Sequence, residues 1–215
     1  MPPLPREIKV RGVLGSVALV ALLLGSSAAF AAIDTSFIEG PWPKERVRTT
    51  EVGRHQVRWR SLIAKKAGSI FAGLRFTAPL DQQTIWGMTA DYNDIGKKMP
   101  GVKAVRFLEQ SETREVIAID VKILWKELTL TFEIEREPPR VTRFRLVNEA
   151  LGEYRGVALY TPEGTGTAVE LSTWLQPAQP VPARLLLGVE RIALLQGARE
   201  FLEDCDKRLK TNPPR

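Results

Sequence analysis

The chain has 215 residues and a formal net charge of +6, with a single histidine, His55, and a single cysteine, Cys205. That inventory excludes an intrachain disulfide and a zinc site built only from histidine and cysteine. The charge is local: residues 44–66 carry eight basic residues against Glu45 and Glu51, whereas residues 67–215 hold twenty of each sign.

In chain order, Arg6, Lys9 and Arg11 precede the apolar run Val17–Leu24, and Ala29-Phe30-Ala31 is a small-x-small triplet. This is the layout of a secretory signal peptide cleaved after Ala31. An uncleaved anchor is the alternative, because Val13–Ile33 is just long enough to span a bilayer. Either way the folded part is expected outside the cytoplasm, periplasmic or secreted. Nucleic acid is then a poor partner, and no aromatic stacking motif interleaves with the charges.

Asp34–Lys44 reads as an irregular leader around Gly40-Pro41-Trp42-Pro43. Over residues 46–63, Val57 and Trp59 alternate with Arg58 and Arg60, the pattern of a half-buried strand. A further strand over 69–77 places Ile70, Ala72, Leu74 and Phe76 on one face. Pro79 ends it, and Asp81 is placed to N-cap a short helix carrying Trp86. Strands follow at 102–109, 114–124, 128–135, 140–147, 153–161 and 166–175, joined by turns too short for anything but antiparallel neighbours. From Pro182 to about Lys210 the chain reads as one helix roughly 40 Å long, apolar on much of its circumference.

The segment Thr77–Val102 carries a more specific pattern. Ala78-Pro79, Ile85-Trp86, Asp91-Tyr92 and Pro100-Gly101-Val102 occur in that order, with four residues between Trp86 and Asp91 and seven between Tyr92 and Pro100. This resembles the opening of START-like helix-grip (SRPBCC) domains, in particular the polyketide cyclase/dehydrase and coenzyme Q-binding group. The resemblance implies an α+β fold in which a curved antiparallel sheet wraps a long C-terminal helix, with two short helices closing one end. The chain then divides into a signal peptide (1–31), a leader with a basic segment and possible extra strand (32–66), the helix-grip domain (67–210) and a tail (211–215). The resemblance also implies a cavity shared by the helix and the concave sheet face. Its expected lining is Ile119, Val121, Phe132, Phe144, Leu171, Val189 and Ile192, an apolar set suited to a lipid, quinone or polyketide-like molecule.

Catalytic groups are scarce. His55 lies in the basic leader, Cys205 reads as a buried apolar residue, and Asp91 and Asp94 suit helix capping. Asp120 is the one weak catalytic candidate: it shares parity with Val116 and Ala118, opposite the more continuously apolar Ile117, Ile119, Val121 and Ile123. If its own set faced inward it would act as a desolvated acid or base; if the apolar set does, it is wet. Arg143 and Arg145 pose the same question opposite Phe144 and Leu146. The expectation is therefore an exported binding protein for a hydrophobic small molecule, with no cofactor and no metal. The alternatives are a cyclase or dehydratase working in the same cavity and a surface-acting membrane or protein interaction module. Residues 44–66 are the candidate contact with an anionic membrane, against the plainer reading of a charged edge strand.

Overall fold

The structure, a computed structural model, describes residues 32–42, 44–64, 68–91, 101–123, 126–148 and 151–211. From Ile33 onward these residues form one compact unit. Nine strands and two helices occur among them. The strands are β1 (Arg46–Val52), β2 (His55–Ile63), β3 (Ile70–Ala78), β4 (Val102–Gln110), β5 (Arg114–Ile123), β6 (Lys126–Glu137), β7 (Val141–Leu146), β8 (Gly152–Glu163) and β9 (Gly166–Pro177). The helices are α1 (Gln82–Thr89) and α2 (Ala183–Thr211). All strands join one curved antiparallel sheet in the order β1-β2-β3-β9-β8-β7-β6-β5-β4. This is the expected α+β helix-grip layout. The expected second short helix falls on residues 92–100, outside the described residues.

Asp81 caps α1 as anticipated: its carboxylate accepts the Thr84 backbone N–H at 3.0 Å and the Thr84 hydroxyl at 2.6 Å. These bonds hold the Asp81 carboxyl below the usual range. The single strand expected over 46–63 is instead a hairpin. Gly53 turns it with φ near +60°, a conformation that two-residue hairpin loops demand and that glycine adopts without strain. β2 then pairs with β3, so the hairpin extends the sheet.

Antiparallel register fixes two faces. On the concave one, a single rung runs Arg46, Ser61, Ala72, Thr173, Gly156, Phe144, Ile134 and Glu115. α2 lies against β3 and, less closely, β2 and β1. Ala198, Leu202 and Cys205 are its buried line and pack with Val57, Leu74, Phe76 and Val169. Cys205 is fully buried, and burial pushes its thiol up to about 12, which leaves it inert as expected. His55 opens β2 and reaches Asp206 near the end of α2 at 3.1 Å, beside an Arg54–Asp206 contact of 2.7 Å. It ties the hairpin tip to the helix.

The leader is irregular but not loose. Ile33, Thr35, Ile38 and Trp42 are buried. The segment straps the convex face: Ile33 N–H donates to Glu135 at 3.0 Å, Arg143 donates to the Thr35 hydroxyl at 3.2 Å, and Phe37 meets Trp174 edge-to-face at 5.3 Å. Trp42 packs on Phe71 and lies under the Arg60 guanidinium at 4.0 Å. Ile38 is fully buried, so Ile38→Ala removes buried methylenes and leaves a cavity. Urea unfolding should show a loss of about 3 kcal/mol; a loss below about 0.5 kcal/mol, within the usual range of surface substitutions, would mean the strap adds nothing to the fold.

Candidate functional site

Parity places Ile117, Ile119 and Val121 on the concave face of β5, opposite Phe132, Leu130 and Leu128 of β6. Ile119, Val121, Phe132 and Phe144 are each half-buried, although they occupy the inner face of the sheet. α2 covers mainly the other end, so this apolar surface forms a trough beside the helix. Phe132, Phe144 and Tyr154 meet in a ring cluster with centroids 5.9 to 6.2 Å apart. Gly156 makes the cluster possible. It lies directly across from Phe144, whose ring would sit 2.0 Å from any Cβ at that position. Leu171 is also half-buried, against the main core.

Val189 and Ile192 do not join this lining. They are 55% and 71% exposed and, with Leu185 at 60%, sit on the outer side of α2. At 100° per residue they fall more than a quarter-turn from the buried line through Ala198, Leu202 and Cys205. A helix apolar on so much of its circumference does not declare its phase in sequence. That phase turns Glu190 inward instead, a residue the periodicity gave no reason to select.

Glu190 crosses to the sheet. Its Oε1 accepts the Tyr154 hydroxyl and the Thr173 hydroxyl, each at 2.8 Å. Burial raises the Glu190 carboxyl above the usual range, against the lowering effect of these two bonds. Burial, reinforced by the neighbouring Glu190 charge, pushes the Tyr154 phenol well above its ordinary value. The result is a carboxyl whose ionisation burial opposes, flanked by two hydroxyls, at one end of an apolar trough. A recess of about 340 Å³ where β7 gives way to β8 is lined by Arg145, Leu146, Val147, Glu153, Tyr154 and Arg155, half of them charged. At the opposite, α1 end, Glu115 and Arg136 form a buried ion pair at 3.0 Å, with the guanidinium 5.4 Å from the Trp86 ring.

Asp120 lies on the convex face, where it accepts from Thr129 at 2.7 Å and pairs with Arg106 at 2.9 Å. The Thr129 bond, then Arg106, hold its carboxyl below the usual range. It is therefore neither desolvated nor near the trough, and its weak claim to a catalytic role is withdrawn. Arg143 and Arg145 are convex as well; Arg145 reaches the fully buried Glu133 at 2.6 Å. Among the described residues no group of three or more His, Cys, Asp or Glu is arranged to hold a metal ion.

Residues 78–202 match the family model described as polyketide cyclase / dehydrase and lipid transport. No curated protein shows significant sequence similarity to the chain. A solved STAR-related lipid transfer protein fragment from Xanthomonas axonopodis is similar with a TM-score of 0.60 at 13% identity, over 73% of this chain and 98% of that one. The Zhui aromatase/cyclase of Streptomyces sp. R1128 gives 0.57 at 19% identity, over 66% and 96%. Human STARD10 gives 0.61 at 8% identity, over 78% and 76%. At such identities these likenesses establish the shared fold.

The Glu190 carboxyl yields a signed prediction. Because its folded value is raised, its protonated form contributes stability that is complete below the unfolded value of about 4.3 and is lost as pH rises through the folded value. Glu190→Gln keeps an acceptor for Tyr154 and Thr173 but cannot ionise. Thermal unfolding should show the variant gaining on the parent as pH increases from 4 to 8. A difference that stays flat across that range would show that Glu190 is not desolvated.

Proposed function

Because the chain belongs to the polyketide cyclase / dehydrase and lipid transport family, we propose that it is an exported carrier of a hydrophobic small molecule. The ligand lies in the trough between α2 and the concave sheet. One observation carries this reading: Ile119, Val121, Phe132 and Phe144 face inward yet remain half-exposed, beside a polar anchor formed by Glu190, Tyr154 and Thr173. Such a surface gains free energy when an apolar body covers it, and a few convergent polar groups orient what binds. A lipid, a quinone or a polyketide-like ring system with one hydroxyl or carbonyl matches that combination. The family's description, which includes lipid transport, and the Xanthomonas STAR-related lipid transfer fragment, which shares the fold, make a lipid the first class to test.

Native mass spectrometry of the chain isolated from the cells that make it, followed by organic extraction, should reveal a stoichiometric apolar passenger. Phe132→Lys and Phe144→Lys should each weaken its binding about tenfold or more, since each replaces a large apolar contact with a charge. Asp120→Asn, on the far face, should leave it intact. An empty protein that also refuses apolar probes would overturn the carrier reading. The same spectrum checks export: the mass should correspond to a chain beginning at Ala32, whereas a full-length mass would favour the anchor.

One observation favours a second reading. Glu190, not Asp120, is the inward carboxyl whose burial suits it to proton transfer, so a cyclase or dehydratase would act through it. Turnover lost in Glu190→Gln with binding retained would support that version. The membrane contact expected of residues 44–66 as a block is narrower in this fold. Arg54 and Arg60 are held by carboxylates, and Arg58 lies on the convex face. Among the described residues, Lys44, Arg46 and Arg48 remain for an anionic partner of this segment.

A further inference from the structure

We propose that the groove between β1 and the first half of α2 binds a phosphate group, held by Arg46, Arg48 and Arg191 above a floor of Trp59 and Ser61. The groove, of about 200 Å³, is lined by these five residues with Leu187 and Gly188. Register puts Arg46 opposite Ser61 and Arg48 opposite Trp59 on the concave side of β1, with the two Cα atoms about 7 Å apart. Arg191 enters from the helix and is half-buried. None of the three has a hydrogen-bond or ion-pair partner among the described residues.

Among the described residues the surroundings supply no counter-charge. Glu190, next in sequence to Arg191, is engaged with Tyr154 and Thr173. Glu51 has the opposite parity on β1, and Glu45 faces Arg60. Three guanidinium groups therefore converge on one small concavity without neutralisation, while the convex-face Arg60, Arg75 and Arg145 are each paired. An oxyanion relieves that repulsion. Three planar forks offer more donors than the two oxygens of a carboxylate can accept, whereas a phosphate presents three or four oxygens and a larger charge. The Trp59 ring closes the floor to water and strengthens each charge-assisted bond. Two of the three arginines lie on the N-terminal hairpin, ahead of residues 78–202 that match the family model. The site therefore stands whatever the trough holds.

The experiment titrates the purified chain with sn-glycerol 3-phosphate by calorimetry. In parallel it measures binding to vesicles of phosphatidylcholine alone and of phosphatidylcholine with a quarter phosphatidic acid, whose headgroup is a phosphate monoester. Saturable binding of at least one phosphate-bearing probe is expected, weakening with added salt. Arg191→Gln and the double variant Arg46→Gln/Arg48→Gln should each lose about tenfold or more in affinity, the size expected for lost charge-assisted hydrogen bonds. Arg58→Gln, which removes the same charge from the convex face of the same hairpin, should change it less than about twofold. Circular dichroism checks that the variants keep their sheet; the β1 positions are exposed at a sheet edge and Arg191 packs against no acid, so folding is expected to survive. Binding of glycerol phosphate in free solution identifies a soluble phosphate ester as the source. Binding only to phosphatidic acid vesicles identifies a lipid headgroup, and both outcomes support the site. Binding of neither probe overturns it, as does a loss in Arg58→Gln equal to that in Arg191→Gln, which would reduce the effect to overall charge.

Discussion

The structure depends on an alternation carried across eight of its nine antiparallel strands. From β1 at one edge to β5, each pairing passes the same parity to its neighbour, so one choice of face decides the inward side chains of all eight. Ile117 on β5 faces in because Phe132 does, and Phe144 does because Gly156 lies across from it. A slip of one residue in any strand would send Asp120, Arg143 and Glu133 into the trough and Phe132 into water. The alternation in Leu128, Leu130, Phe132 and Ile134 against Thr129, Thr131, Glu133 and Glu135 is strong enough to forbid that slip. The irregular pairings are confined to β4, at the edge, where bulges cost little.

Within that frame the concave face is not uniformly apolar. It holds Glu115 with Arg136 at one end and Glu190 with two hydroxyls at the other. Taking charge out of water is unfavourable, and the two ends meet this differently. The first pairs opposite charges under the Trp86 ring; the second keeps a single carboxyl whose ionisation burial opposes. The half-exposed aromatic surface lies between them. This arrangement suits a ligand that is apolar along its body and polar at one tip.

Residues ahead of the family-matched region change both faces of the sheet. The strap from Ile33 to Trp42 covers Phe71 and Trp174 on the convex side, so those rings are spared exposure. The β1–β2 hairpin lengthens the sheet past β3 and is clamped to the end of α2 by Arg54 and His55 on Asp206. Burial alone would raise the Asp206 carboxyl, but the bonds from Arg54 and His55 outweigh it and hold it below the usual range. The clamp thus favours the charged form of Asp206, and it ties the hairpin beside the groove between β1 and the helix.

By itself the sequence determined the strand series, the long C-terminal helix, the Asp81 cap and the alternation of β6, and it left the inward face of β5 and β7 between two sets, the more apolar of which the structure turns inward. These rest on local chemistry: alternation of two, turn residues, and a side chain reaching a backbone N–H three residues on. The hairpin that Gly53 permits was hidden within one basic strand pattern. What only the tertiary structure decided was the rotation of α2. Leu185, Val189 and Ile192 are as apolar as the residues that pack, and no helical period distinguishes them. The sheet's curvature selected Ala198, Leu202 and Cys205 instead, because small and medium side chains let the helix approach β3 closely. That rotation turned Val189 and Ile192 outward, brought Glu190 to Tyr154 and Thr173 and aimed Arg191 at β1. Each of these contacts joins residues on different elements, and no periodicity within one segment encodes the distance between two.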